Sequence, residues 1–100
     1  MTTAMTTTAT ILTVARAEAL FTSRLATGSQ PSYDTVEEAI RGAIRSHRGV
    51  RGCAADVAGE YGDHPECAAP RMRWARHLVE ELYDARRSRS RRRAGWVLVG

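Results

Sequence analysis

The stretch GCAADVAGEYGDHPECAAPRMRWARHLV, residues 52–79, predicts two helices joined by a tight turn. Gly62 is a natural helix stop, since glycine accepts the left-handed conformation, and Pro65 suits the first position of the next helix. Apolar residues share one face of the first helix: Ala54, Val57, Ala58 and Tyr61. They recur at four-three spacing in the second helix: Ala68, Met72, Ala75, Val79 and Leu82. The stretch therefore predicts a helix-turn-helix-like pair.

This pair resembles the helix-turn-helix of bacterial DNA-binding proteins, most closely the final segment of sigma-factor region 4. Ala58 matches the small residue at the helix crossing, Gly62 the turn glycine and Ala68 the small anchor of the second helix. An Arg-apolar-x-x-Ala-Arg string follows, from Arg71 to Arg76. The resemblance implies that the second helix enters the major groove by its N-terminal end. It also implies that Arg71 and Arg73 contact phosphates or bases.

Two positions depart from that pattern. Asp63 stands where an apolar residue usually follows the turn glycine. Pro70 lies inside the second helix, where proline removes a backbone hydrogen bond. Two alternatives stay open: the helix kinks at Pro70, or it begins near Ala69 and the turn is longer. The middle of the chain, from ALFTSRL to RMRWA, also resembles small uncharacterised proteins of high-GC bacteria, a resemblance that implies no activity.

Two further helices are predicted before this pair. The first covers residues 13–27, with Ala17, Leu20, Phe21 and Leu25 on one side and Gly28 at its end. In the second, Asp34 is the expected N-cap, Glu37 stands at capping-box spacing, and Gly49 stops the helix. Its apolar stripe contains Val36, Ala39, Ile40, Ala43, Ile44 and His47.

The composition predicts one small all-α domain, a bundle of about four helices, since alanine is abundant and strand formers are few. We expect a disordered Thr-rich tail over residues 1–10, a helical domain over 11–85 and an Arg-rich tail over 86–100. The terminal GWVLVG could dock onto the domain or form an edge strand. No secretory signal or membrane span is expected, and the predicted location is the cytoplasm.

The positive charge of the chain is concentrated near its C-terminus. The net charge is +4, and all 15 basic residues are arginine. Six of them lie in residues 86–93, whereas residues 1–85 carry nine arginines against 11 acidic residues. A DNA-binding domain usually concentrates positive charge on its own surface, so this distribution weakens the case for the helical domain. The predicted DNA-binding residues are Arg71, Arg73, Arg76, Arg86 and Arg87.

The cysteines and histidines do not form a recognisable site. Cys53, His64 and Cys67, with His47 or His77, could be considered for zinc, but only His64 and Cys67 stand at close spacing. A small apolar role in the core suits Cys53 better. Cys67 and His64 lack an orienting third group for nucleophilic catalysis. We therefore expect no metal, no cofactor and no enzymatic activity.

Two functions remain. The first is a helix-turn-helix regulator, in which residues 52–79 dock on DNA and the Arg-rich tail adds affinity. The alternative is a non-enzymatic helical module that binds a protein partner or a second copy. Its predicted surface consists of Trp74, Leu78, Leu82 and Tyr83.

Overall fold

The computed structural model describes residues 3–99, and within them the side chains of residues 11–86. Over that part of the chain the protein is an all-helical, four-helix domain, as predicted. The helices are α1 (Thr3–Thr22), α2 (Tyr33–Ser46), α3 (Val50–Asp63) and α4 (Pro65–Val99).

The outer turns of α1 and α4 include most of the residues assigned to tails. Helix α1 begins at Thr3 and α4 ends at Val99, so backbone helix covers much of residues 1–10 and 86–100. The disorder expected there stays a prediction. An edge strand at residues 95–99 was a wrong alternative, because this part of α4 is helical.

Helix α1 ends five residues before the predicted boundary. The hydroxyl of Ser23 donates to the Leu20 carbonyl at 2.6 Å, and that of Thr22 donates to the Ala19 carbonyl at 2.9 Å. These side chains satisfy carbonyls that the next helical turn would otherwise use. The chain then turns at Gly28, whose φ of 89° requires glycine-like freedom.

The N-cap of α2 is Ser32, and the prediction of Asp34 was wrong. Ser32 has extended dihedral angles, and its hydroxyl accepts from the Thr35 backbone N–H at 3.3 Å. Asp34 instead lies in the first turn, where its charge favours the positive helix end. Glu37 forms no capping box. Its carboxylate lies 3.5 Å from Arg41 and also accepts from the Tyr83 hydroxyl.

The turn after α2 uses two residues with positive φ. The helix ends at Ser46, before the predicted stop, and Arg48 and Gly49 have φ values of 61° and 112°. The Gly49 N–H donates to the Ile44 carbonyl at 2.8 Å, which satisfies a carbonyl of the last helical turn. The chain then enters α3 at Val50.

The predicted α3–α4 pair exists, but its junction differs from the prediction. Gly62 lies inside α3, which continues to Asp63, and His64 alone joins the two helices. Pro65 is the first residue of α4, as predicted. Pro70 lies on an exposed position inside the same helix, so α4 does not begin near Ala69. Because helix-turn-helix motifs use a turn of three or four residues, this junction departs from that pattern.

The core lies around α1, which packs against each of the other three helices. Ala17 and Leu20 are fully buried among residues of α2 and α4, and Phe21 forms a smaller cluster with Val57 and Ala68. Two predicted positions of α3 were wrong: Ala58 and Tyr61 are exposed, while Cys53 and Val57 are buried. The buried residues are Ala17, Ala19, Leu20, Phe21, Val36, Ile40, Ala43, Cys53, Val57, Ala68, Ala75, Leu78, Val79 and Tyr83.

Gly52 allows α3 to pass close to the end of α2. A Cβ atom at this position would lie 1.7 Å from the His47 carbonyl oxygen, which is backbone and cannot rotate away. Gly59, in the same helix, has no atom within 4 Å of an added Cβ. An added methyl group should therefore clash with the backbone at Gly52 but not at Gly59.

We expect Gly52→Ala to lower the free energy of unfolding by about 2 kcal/mol or more, because α3 must move away from α2. The matched control Gly59→Ala should raise it by up to about 1 kcal/mol through helix propensity. Urea unfolding followed by far-ultraviolet circular dichroism measures both. Equal stabilities for the two variants would contradict the close approach.

Candidate nucleic-acid interface

Arg71, a predicted DNA contact, is turned toward the C-terminal end of α1. Its Nε donates to the Phe21 carbonyl at 2.7 Å, and one Nη donates to the Ser23 carbonyl at 2.9 Å. The other Nη donates to the Thr27 hydroxyl at 2.8 Å. The cation also lies at the negative end of the α1 dipole. All three nitrogens of the guanidinium are thus engaged within the chain.

Aromatic rings complete the surroundings of Arg71. Its guanidinium carbon lies 5.0 Å from the Trp74 ring centroid and 5.6 Å from that of Phe21. Burial lowers the pKa of Arg71 from its ordinary value. Trp74 donates from its indole N–H to the Ser29 carbonyl at 2.8 Å, so both residues hold the α1–α2 connection against α4. This arrangement favours a structural role for Arg71 over a contact with DNA.

We expect Arg71→Met to lower the free energy of unfolding by about 2 kcal/mol, because the variant keeps the apolar stem but loses three charge-assisted hydrogen bonds. Arg71→Lys should lose most of the same energy, since an ammonium cannot reproduce the guanidinium fork. Arg73→Met, at an exposed position of the same helix, is the control and should change stability by less than about 0.5 kcal/mol. If urea unfolding shows R71M to be as stable as R73M, the structural role is wrong.

Arg73 and Arg76 are exposed on the outer face of α4. Glu66 and Glu80 stand seven residues before and after Arg73, so the helical register places them on the same face. His77 lies nearby, with its Nε2 3.1 Å from the Glu81 carboxylate. This face therefore has mixed charge rather than a positive stripe.

The junction between α3 and α4 is acidic. No arginine occurs between Gly52 and Pro70, whereas four acidic residues do. All four are exposed: Asp56, Glu60, Asp63 and Glu66. In the predicted docking mode this end of α4 would meet DNA first, and its negative charge would oppose approach to phosphates. The described geometry therefore disfavours docking through residues 52–79.

Arg86 lies at the opposite end of the domain, in a cluster that joins three helices. Its guanidinium carbon is 3.9 Å from the ring centroid of Tyr33, which contacts the Tyr83 ring at a centroid distance of 5.1 Å. Arg16 lies 4.2 Å from the Tyr83 ring centroid. This cluster holds the first arginine of the basic segment, which we define as residues 86–93. Arg87 lies outside the described side chains.

Tyr83 connects this cluster to α2 through a hydrogen bond to the Glu37 carboxylate. Burial, and then this hydrogen bond, raise the pKa of Tyr83 above its ordinary value. The folded state thus holds the phenol proton more tightly than the unfolded state. The resulting stabilisation is present below about pH 10 and is lost as the pH rises toward the folded pKa.

We expect Tyr83→Phe to lower the free energy of unfolding at pH 7 by about 1 kcal/mol, because the Glu37 oxygen loses its donor. The variant should also lose less stability than the unsubstituted protein between about pH 9.5 and pH 11. Tyr61→Phe, at an exposed position, is the control and should leave the alkaline loss unchanged. Urea unfolding at each pH gives these free energies. If the unsubstituted protein and both variants lose equal stability as the pH rises, the raised pKa of Tyr83 does not contribute to the alkaline loss.

The surface predicted for protein partners is instead part of the core. Leu78 and Tyr83 are buried, and Trp74 and Leu82 are half-buried against the same cluster. That prediction was wrong because the apolar stripe of α4 packs on α1 and α2 and includes these positions. Among the described side chains, the large apolar residues that are exposed lie elsewhere: Ile11, Leu12, Val14, Val50 and Tyr61.

The two cysteines have different surroundings. Cys53 is buried, and its sulfur lies 3.8 Å from both the Ala43 carbonyl and the Thr22 hydroxyl, which agrees with a core role. Cys67 is exposed. Among the described side chains, no group of three or more His, Cys, Asp or Glu residues could hold a metal ion.

A groove of about 460 Å³ lies between the end of α1 and α2. Leu25, Ala39 and Ala43 give it apolar walls, and His47 stands at its edge. The Nδ1 of His47 lies 2.9 Å from the Ala43 carbonyl, so this nitrogen already has a partner. Thr22, Ser23 and Ser46 also line the groove, and the Ser23 hydroxyl donates to the Leu20 carbonyl.

No protein-family model matches the chain, and neither curated proteins nor solved structures give a match. The resemblance to sigma-factor region 4 therefore depends on the quoted residues alone. Within the described part of the chain, none of the helices is long and apolar enough to cross a bilayer.

Proposed function

We propose that this protein is a non-enzymatic DNA-binding protein that contacts the phosphate backbone through the basic segment at the far end of α4. The observation that carries the proposal is the separation of charge along this helix. The acidic α3–α4 junction lies at its N-terminal end, and six arginines lie in residues 86–93. From Pro65 to Arg86 a helix rises about 32 Å, so the two charged regions are well separated.

The contacts of Arg86 support this orientation of the basic segment. Because Arg86 packs on Tyr33 and neighbours the Tyr83–Glu37 hydrogen bond, the segment begins at a fixed point of the domain. Arginines on such a helix can neutralise phosphates without reading base edges. Binding should therefore be strongly salt-dependent and weakly dependent on sequence.

Fluorescence anisotropy with a labelled DNA duplex over a salt series tests the proposal in the full chain. Replacing Arg91, Arg92 and Arg93 by Gln should weaken binding and reduce the slope of log K against log salt by about 2–3. The matched variant R73Q/R76Q removes charge from the mixed face of α4 and should leave the slope nearly unchanged. A larger loss in R73Q/R76Q would favour docking through residues 52–79 instead.

The second candidate is a helical interaction module. The observation that favours it is an exposed apolar patch on α1, where Ile11, Leu12 and Val14 are 61%, 49% and 38% exposed. Residues 1–15 contain no charged side chain. Absence of duplex binding at every salt concentration would favour this module over the DNA-binding protein.

A further inference from the structure

The groove between the end of α1 and α2 has the size and the apolar walls of a small-molecule site. Ala39, Gly42 and Ala43 line it from α2, and Leu25 contributes apolar surface from the α1–α2 connection. Its volume of about 460 Å³ falls within the range of about 300–1,000 Å³ that is usual for such sites. These walls suit a ligand with an apolar body.

Several polar groups of the groove are already engaged within the chain. The hydroxyls of Thr22 and Ser23 donate to carbonyls of α1, at 2.9 Å and 2.6 Å. The Nδ1 of His47 lies 2.9 Å from the Ala43 carbonyl, and its Nε2 lies 3.8 Å from the Asp56 carboxylate. A ligand must therefore be held by other groups.

The polar groups that remain are hydrogen-bond donors. Arg24 and Ser46 line the groove and are exposed. Within the described part of the chain, neither side chain takes part in a hydrogen bond or an ion pair. A guanidinium has five N–H donors and no acceptor, so Arg24 favours a ligand group that accepts hydrogen bonds.

A second arginine stands at the edge of the groove. One Nη of Arg45 lies 3.9 Å from the position that a Cβ at Gly42 would take, which places the guanidinium beside the α2 wall. Arg45 also borders a depression that contains Glu37 and Glu38, but no ion pair among the described side chains includes it. None of the described residues that line the groove is acidic. The charges around the groove therefore favour an anion.

We propose that this groove binds a small organic carboxylate. The apolar part of the ligand lies against Leu25, Ala39 and Ala43, and the carboxylate is bound by Arg24 and Arg45. The planar fork of a guanidinium matches a carboxylate, and such charge-assisted hydrogen bonds are stronger than neutral ones. Both arginines are exposed, so they can turn onto the ligand without breaking a described contact. The site shares no residue with the basic segment and does not depend on DNA binding.

Nuclear magnetic resonance of the isotope-labelled full chain tests the site with hydrocinnamate, a carboxylate that carries a phenyl ring. We expect saturable shifts of the backbone amide signals of residues 22–25 and 39–47. Hydrocinnamyl alcohol lacks the charge and acetate lacks the apolar body, so each should bind at least about tenfold more weakly. Equal binding of acetate, or shifts confined to residues outside the groove, would overturn the proposal.

Gly42→Leu tests whether the ligand occupies the groove. A leucine side chain would fill part of it, and its Cβ would meet only the Arg45 side chain, at an ordinary contact distance. Gly59→Leu is the matched control, because an added Cβ there meets no atom within 4 Å. Leucine favours helix over glycine, so both variants should fold. Hydrocinnamate binding should fall more than about tenfold in G42L and persist in G59L. Equal binding by the two folded variants would contradict occupancy of the groove.

The double variant R24Q/R45Q tests the carboxylate contact. It should bind hydrocinnamate about fivefold more weakly or less tightly still, because two ion pairs with the ligand are lost. The control R73Q/R76Q has the same change in net charge on α4 and should bind as the unsubstituted protein does. The basic segment is intact in both variants, so it cannot account for a difference between them. If both bind hydrocinnamate with equal affinity and circular dichroism shows both to be folded, the proposal is wrong.

Discussion

The guanidinium of Arg71 is the contact on which the geometry of the domain depends. It reaches from α4 to the end of α1 and donates to Phe21, Ser23 and Thr27. These partners lie where α1 ends and the connection to α2 begins. A helix end buried without such donors would leave carbonyls unsatisfied, at a cost comparable to several hydrogen bonds. One side chain therefore positions the central helix, the loop that follows it and the long helix together.

A second constraint is the close approach of α3 to the end of α2. Gly52 provides it, because any side chain there would meet the His47 carbonyl. The turn before it depends on the positive φ angles of Arg48 and Gly49. With α3 held in this position, Cys53 and Val57 are buried, and the row containing Ala55 and Gly59 faces solvent. The same constraint thus packs one face of α3 and leaves the opposite face open.

Charge is distributed along the molecule rather than across it. The α3–α4 junction is acidic, the middle of α4 is mixed, and the arginines accumulate beyond Tyr83. A single helix of 35 residues carries this separation, because its rise keeps the ends about 50 Å apart.

The sequence by itself determined the helical class, the four helices and much of the core, because apolar spacing reports which face of a helix is buried. Val36, Ile40, Ala75 and Val79 were identified from that spacing and are buried. It also located the basic segment, since a run of arginines is visible without a fold. Only the tertiary structure decided the role of Arg71, since its partners lie 44 or more residues away in the chain. The same holds for Trp74 and Tyr83. The spacing of apolar residues predicts which face of a helix is buried, but only packing decides whether that face meets the protein's own core or a partner.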